Sequence, residues 1–431
     1  MTSQRFWHPF ADMRSVVANG ELVIERGEGA CVYDAAGRRY IDATAGLWYC
    51  NVGHGRREIA DAAAAQMAWL AAYSTFGDLA NRPALDLAER VGAYAPLEEP
   101  RVFLTSGGSD SIDTAVKLVR RYWRAEGQPD RSLVLSRTHS YHGMHLAGTA
   151  LAGIEPNRQG YGALVEGVDL VRWDSADALE ERIGQAGPER VAAFFCEPVL
   201  GAGGVYPPHE GYLEGVADLC EEHGILLVID SVICGFGRLG TWFGIERWPD
   251  VRPAMITFAK GVTSGYLPLG GVVVSAEVAA PFFSEPGGPM LRHGATYAGH
   301  PACCAAALAV LDIYEREGLI ERGRELEGPL RDALAPLADH PAVAEVRAGL
   351  GLLGAVQLAP EVVERDPAAV AKLSAAARER GVLIRPLLDA AAVSPPLTVE
   401  QEHLDEIAAA LRFALDRLDG APAQPDARSG G

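Results

Sequence analysis

Three apolar runs in this chain end in residues able to do chemistry. "GILLVID" closes on Asp230, "AMITFAK" on Lys260 and "VAAFFCE" on Glu197. A lysine that ends an apolar strand is unusual, because burying an unpaired ammonium is costly unless its pKa falls or it is covalently modified. Such a lysine suits imine formation with a carbonyl; a lysine snorkelling from a strand end is the plainer alternative. Glycines follow in "AKGVTSGYLPLGG" and leave backbone room for a bulky group.

Two further stretches extend the set. In "FLTSGGSDSIDTAVKLVRRYW" a strand meets Gly107, Gly108 and Ser109, then a helix with an apolar face at Ile112, Ala115, Val116 and Val119. Free amides at that helix start, with the Ser109 hydroxyl, form a site for one phosphate; an ordinary capped helix is the competing reading. In "SLVLSRTHSYHGMH", Tyr141 follows a strand and could stack on a planar ring. His139, His142 and His145 stand three apart there, but no cysteine or acidic cluster completes a metal site, and none is expected. Together these parts suit a planar cofactor with one phosphate, an aldehyde for Lys260 and a basic ring nitrogen for Asp230. Pyridoxal 5′-phosphate has those features.

A different cofactor is suggested by "GFGRLG", in which Gly235, Gly237 and Gly240 stand in the G-x-G-x-x-G order of a dinucleotide site. That site needs a helix directly after the glycines. Here "TWFGIERWPDVRP" follows, with three aromatics, two prolines and no helical period. The same spacing recurs in "GLGLLG" at Gly349, Gly351 and Gly354. The glycines are therefore expected to form a turn beyond the Asp230 strand.

The elements that must position these residues follow from the apolar pattern. "RVFLT", "SLVLS", "VAAFFCEPV", "GILLVID", "AMITFAK" and "GGVVVS" alternate with helical segments such as "IADAAAAQMAWLAAY" and "RPALDLAERVGAYA". This predicts an α/β fold with a mainly parallel sheet covered on both faces, and ligands at the carboxyl ends of its strands. The expected large domain covers 61–304. A smaller α+β domain is expected at 305–420, with helices at 305–337, 366–380 and 399–418 and strands in "AVAEVRAGLGLLGAVQL", "GVLIRPL" and "AAVSPPL". Residues 1–60, with a β-meander turning at "DAAG", are expected to pack with that smaller domain. The tail 421–431 is expected to be disordered.

With 431 residues the chain is long enough for two or three domains, and its net charge of −19 argues against nucleic acid and anionic membrane surfaces. Seven scattered cysteines without a C-x-x-C pair suit reduced thiols, hence the cytoplasm. "MTSQRFWHPFADMR" lacks an apolar export segment, and no run reaches the length of a membrane span.

The residues also resemble a known family. "DSVICGFGRLGTWFG", "TFAKGVTSGYLPLGG", "HGATYAGHPACCAAALAVL", "GLWYCNVGHGR", "YHG" and "CEPVLGAGGVYPP" are similar, in this order along nearly the whole chain, to the class III aminotransferases of fold type I. The resemblance implies that Lys260 carries the cofactor and shuttles protons, while Asp230 pairs with the ring nitrogen. Gly107, Gly108 and Ser109 would bind phosphate, Tyr141 and Val232 would flank the ring, and Glu197 would be an acid near it. Thr296 would reach the phosphate from a neighbouring subunit, which implies a homodimer with shared sites, alone or paired into a tetramer. Trp48, Phe76, Tyr141 and Arg385 would line the substrate pocket, Arg385 pairing with a keto acid's carboxylate.

The resemblance is greatest to ω-amino acid or amine:pyruvate transaminases, which move an amino group from an amine donor to a keto acid in two half-reactions. "WHPF" also occurs in diaminopelargonic acid synthases, the alternative within the family. A same-fold isomerase or decarboxylase would share the cofactor residues. Two departures stand out. Ser231 follows Asp230 where the family usually has Glu, and "GGSDS" has Gly107 in place of a serine.

Overall fold

The computed structural model describes residues 5–418; the tail expected at 421–431 lies outside them. Its centre is a seven-stranded sheet in the order Arg101–Thr105, Gly270–Val274, Met255–Phe258, Leu226–Asp230, Val191–Cys196, Leu133–Arg137, Val168–Val171. Gly270–Val274 runs antiparallel to both neighbours, and the other pairings are parallel. The three central strands are buried along their whole length, which explains their unbroken apolar runs. The edge strand Val168–Val171 is not among the expected strands. Asp169 interrupts its apolar residues, as an edge position permits.

Two four-stranded sheets flank this one. Ile24–Glu28, Cys31–Asp34 and Arg39–Asp42 form the N-terminal meander, whose third strand pairs in parallel with Val382–Leu383. At its turn, Asp34 Oδ1 accepts the amides of Ala36 and Arg38, and Gly37 takes φ 79°. The other sheet joins Val343–Arg347, Gly354–Leu358, Ala390–Val393 and Arg385–Pro386.

Two expected helices differ from the structure. The single helix expected at 305–337 is three, Pro301–Glu317, Leu319–Glu325 and Glu327–Leu334, because Gly318 adopts the left-handed conformation and ends the first. The helix begun at Arg57 stops at Trp69, where Leu70 takes extended backbone, and Thr75 Oγ1 donates to the Ala298 carbonyl at 2.9 Å. Tertiary contacts there outweigh the helical propensity of "LAAY".

The glycines of "GFGRLG" pack against the backbone of other segments. A Cβ at Gly237 would lie 3.0 Å from the Leu319 carbonyl oxygen, and one at Gly240 would lie 2.9 Å from the Arg324 nitrogen. Between them Arg238 is fully buried. Its guanidinium donates to the carbonyls of Leu352 and Pro395 and to Asn51 Oδ1, at 2.7–2.8 Å. Burial pulls its pKa down to about 10. Arg238→Met leaves three buried acceptors without a donor, at about 1–3 kcal/mol each. Thermal denaturation is expected to show Tm lowered by on the order of 5 °C or more.

Candidate active site

Parallel pairing brings the carboxyl ends of four adjacent strands to one edge. Tyr141 and His142 follow Leu133–Arg137, Glu197 follows Val191–Cys196, Asp230 ends its strand, and Lys260 lies two residues beyond Met255–Phe258. Strands about 4.8 Å apart thus gather residues that are distant in sequence. Gly108, Ser109, Tyr141, Glu197, Asp230, Val232 and Lys260 line one cavity, and Gly107 is the N-cap of the adjoining helix Gly108–Ala125.

Asp230 is held from three directions. Its Oδ1 accepts from Thr257 Oγ1 and the Val232 amide, both at 3.1 Å, and its Oδ2 from His142 Nδ1 at 2.8 Å. His142 Nε2 lies 3.1 Å from Ser136 Oγ, which lies 3.2 Å from Ser140 Oγ. Glu197 accepts the amides of Tyr141 at 3.0 Å and Gly201 at 2.8 Å. Burial raises its pKa in spite of these bonds. Ser231, at the departure noted above, donates to the Phe243 carbonyl at 2.6 Å and is fully buried.

Lys260 adopts φ 46°, a left-handed conformation that carries strain in a side-chain-bearing residue. Among the described residues its ammonium has no hydrogen bond or ion pair. Burial lowers its pKa, and Asp230 and Glu197 only partly oppose this. The result is a lysine with more free amine at neutral pH than a surface lysine carries.

These residues fit pyridoxal phosphate. No side chain caps the Gly108–Ala125 helix, so the competing reading of an ordinary capped helix does not hold and its first amides are open to an anion. Ser109 Oγ lies beside them, accepting the Met144 amide at 3.0 Å. A Cβ at Gly108 would come within 2.9 Å of Val232 Cγ1, and one at Gly143 within 2.4 Å of Ser109 Oγ, so larger residues would close the cradle.

Beside this cavity lies a second, sharing Tyr141, Ile233 and Lys260 and lined also by Trp48, Ile154 and Arg385. Arg385 stands 5.9 Å from the Trp48 ring centre. Burial lowers its pKa, and no described carboxylate pairs with it. Thr296 and Phe76 do not reach either cavity in this chain. Both border an outer groove on the segment 290–300, where Phe76 is 54% exposed.

His142 was visible in sequence as one of three spaced histidines and within "YHG", neither of which marked it as a partner of Asp230, and those three histidines diverge. His139 packs on Trp173 and Tyr206, His142 bonds Asp230, and His145 is exposed near Asp110. Thr257 and Ser136 lie inside strands and gave no signal at all.

A mainly parallel sheet that delivers a lysine and an aspartate to one cavity beside an uncapped helix start suits a pyridoxal-phosphate enzyme of the α/β type. The model of the class-III aminotransferase family matches residues 14–415, and the chain belongs to that family. It is 36% identical over 436 residues to the putrescine–pyruvate aminotransferase of Pseudomonas aeruginosa, covering 96% of this chain and 94% of that one. An (S)-enantioselective omega-transaminase from Thermomicrobium roseum has a TM-score of 0.90 and 39% identity, over 95% of this chain and 96% of that one. A PLP-bound amine transaminase from an uncultivated Pseudomonas species has a TM-score of 0.91 and 37% identity, over 96% and 99%. The chain is thus an aminotransferase, and its cofactor is pyridoxal phosphate. Among the described residues no helix is long and apolar enough to cross a membrane.

Proposed function

We propose that this aminotransferase takes its amino group from an amine or ω-amino acid and gives it to a keto acid such as pyruvate. The observation that carries this reading is Arg385: a guanidinium without a carboxylate partner, in an otherwise mainly apolar wall beside Lys260. An apolar wall receives the donor's carbon chain, and the fork of Arg385 receives the acceptor's carboxylate bidentately. Relatives whose names give putrescine, pyruvate and amines point the same way.

In this reading Lys260, Asp230 and the Gly107–Ser109 turn hold the cofactor, and Tyr141 and Val232 flank its ring. Bound there, pyridoxal phosphate supplies an aldehyde for the amine and an electron sink for charge developing at the donor carbon. Lys260 Nζ moves the proton away from that carbon, and Asp230, fixed by Thr257 and His142, keeps a negative charge opposite the ring nitrogen. Glu197, anchored to the Tyr141 amide, holds the loop that carries Tyr141.

The reading includes a homodimer, with Thr296 and Phe76 serving the partner's site. Exposed aromatics at Trp69, Tyr73, Phe76 and Tyr297 support it, since so much apolar surface is unusual on a monomer. Seven unpaired cysteines, all buried, support a cytoplasmic setting. The three sheets support a large domain at 61–304 flanked by the N-terminal segment and a small domain.

The test is the visible spectrum of the holoprotein, which should bleach with a small amine and return with pyruvate. A spectrum that bleaches but never returns with any keto acid would remove this reading. Arg385→Ala is expected to raise KM for pyruvate about 10–100-fold, the worth of a charged hydrogen-bonded contact. Steady-state kinetics should show the amine half-reaction unchanged within about twofold.

A further inference from the structure

The segment from Leu291 to Tyr297 carries Thr296; Leu291 packs on the apolar core at its start, but few hydrogen bonds tie the segment to the rest of the chain. Its flanks are tied: Arg121 Nε donates to the Met290 carbonyl at 3.1 Å, Thr75 Oγ1 to Ala298 at 2.9 Å and Asn81 Nδ2 to Gly299 at 2.9 Å. Between those flanks, the only hydrogen bonds from 291–297 to another element, among the described residues, come from the ring of His293. Its Nε2 lies 2.8 Å from Thr114 Oγ1 and its Nδ1 3.0 Å from Lys117 Nζ. Both partners lie on Gly108–Ala125, the helix whose start forms the phosphate cradle. Phe103, from the strand Arg101–Thr105, stacks on the same ring.

The donors fix one tautomer. Thr114 Oγ1 gives its own proton to the Asp110 carbonyl at 2.7 Å, so it accepts from His293 Nε2–H. Lys117 has only protons to offer, so Nδ1 accepts. The ring is therefore neutral when the clasp is closed. A second proton, on Nδ1, would face the Lys117 ammonium and break that bond.

We propose that His293 is a positioning residue: as a neutral clasp between Thr114 and Lys117 it holds the segment bearing Thr296 against the cofactor helix, and protonation releases it. This rests on the proposed reading that Thr296 serves the phosphate site of a partner subunit. The groups facing the ring are Lys117, which disfavours the proton, and Asp110 and Asp113 on the same helix, which favour it; the facing strand offers only Phe103. Burial and Lys117 prevail, and the pKa is lowered. The stabilisation is thus complete above the ordinary histidine value and is lost as pH falls through the lower folded one.

The test is hydrogen exchange of peptides covering 291–299 in the holoenzyme, at about pH 7.5 and about pH 5, with protection corrected for intrinsic rates. Wild type should lose protection about tenfold or more at the lower pH and release pyridoxal phosphate faster. His293→Gln offers an amide N–H to Thr114 and an oxygen to Lys117, so it should stay protected and keep its cofactor at both. Lys117→Met removes the charge that disfavours the second proton and should move the transition to higher pH. Equal protection of wild type at both pH values, or a Gln variant that opens like wild type, would overturn the clasp. An opened segment with unchanged cofactor release would overturn its positioning role. Both readouts use no substrate, so a failure of the amine-to-pyruvate assignment would appear separately, in the spectral cycle.

Discussion

Lys260→Ala is expected to abolish transamination, with kcat lowered by at least about 10²–10⁴, the contribution of a placed proton carrier alone. The expectation rests on position and on chemistry. Lys260 lies at the carboxyl edge of the sheet, in the cavity shared with Asp230 and Ser109, and no other described lysine lines it. Burial lowers its pKa, so more of the amine is unprotonated, and able to attack an aldehyde, than in a surface lysine. The same shift predicts a pH dependence. Cofactor uptake by the apoprotein should slow as pH falls through that lowered value, because an ammonium is no nucleophile. The measurement is single-turnover kinetics, with added methylamine as a small surrogate base. Partial rescue by the amine would confirm the proton-transfer role. Undiminished turnover by Lys260→Ala would remove Lys260 from the mechanism.

The strand ends made Lys260, Asp230 and Glu197 legible in sequence, since a polar residue closing a buried apolar run has few places to point. The fold class followed from the same runs, because strands buried on both faces leave an unbroken pattern. His142 was illegible as a partner of Asp230: the two are 88 residues apart, and only the order of the sheet, with Val191–Cys196 between their two strands, brings them together. The edge strand at Val168–Val171 is too short and too polar to stand out. Gly318 ended a helix in a stretch where the alanine and leucine pattern continues on both sides, so only its left-handed backbone marks the break. Arg238 has the composition of a surface residue, and its burial is set by three carbonyl-type oxygens from separate segments. Thr296 and Phe76 entered through family resemblance, and one chain alone leaves them outside the Lys260 cavity.

Asp230→Asn is the sharper experiment, because the site can absorb it without rebuilding. Asp230 Oδ1 accepts from Thr257 and Val232, and Oδ2 from His142. An asparagine can keep its oxygen on the Thr257 side and turn its NH₂ toward His142. The imidazole then accepts at Nδ1 and moves its proton to Nε2, where Ser136 Oγ accepts it and passes its own proton toward Ser140. Every bond survives and only the charge is lost. The expected result is therefore a fold within about 2–3 °C of wild type by thermal denaturation. Turnover should nevertheless fall by about 10²–10⁴, the effect of removing one partner of a buried charge pair worth about 3–5 kcal/mol. His142→Phe tests the support separately: the carboxylate keeps its charge and two donors, so kcat should fall far less than in the Asn variant. If Asp230→Asn retained turnover within about tenfold, charge opposite the ring nitrogen would not be what this carboxylate contributes.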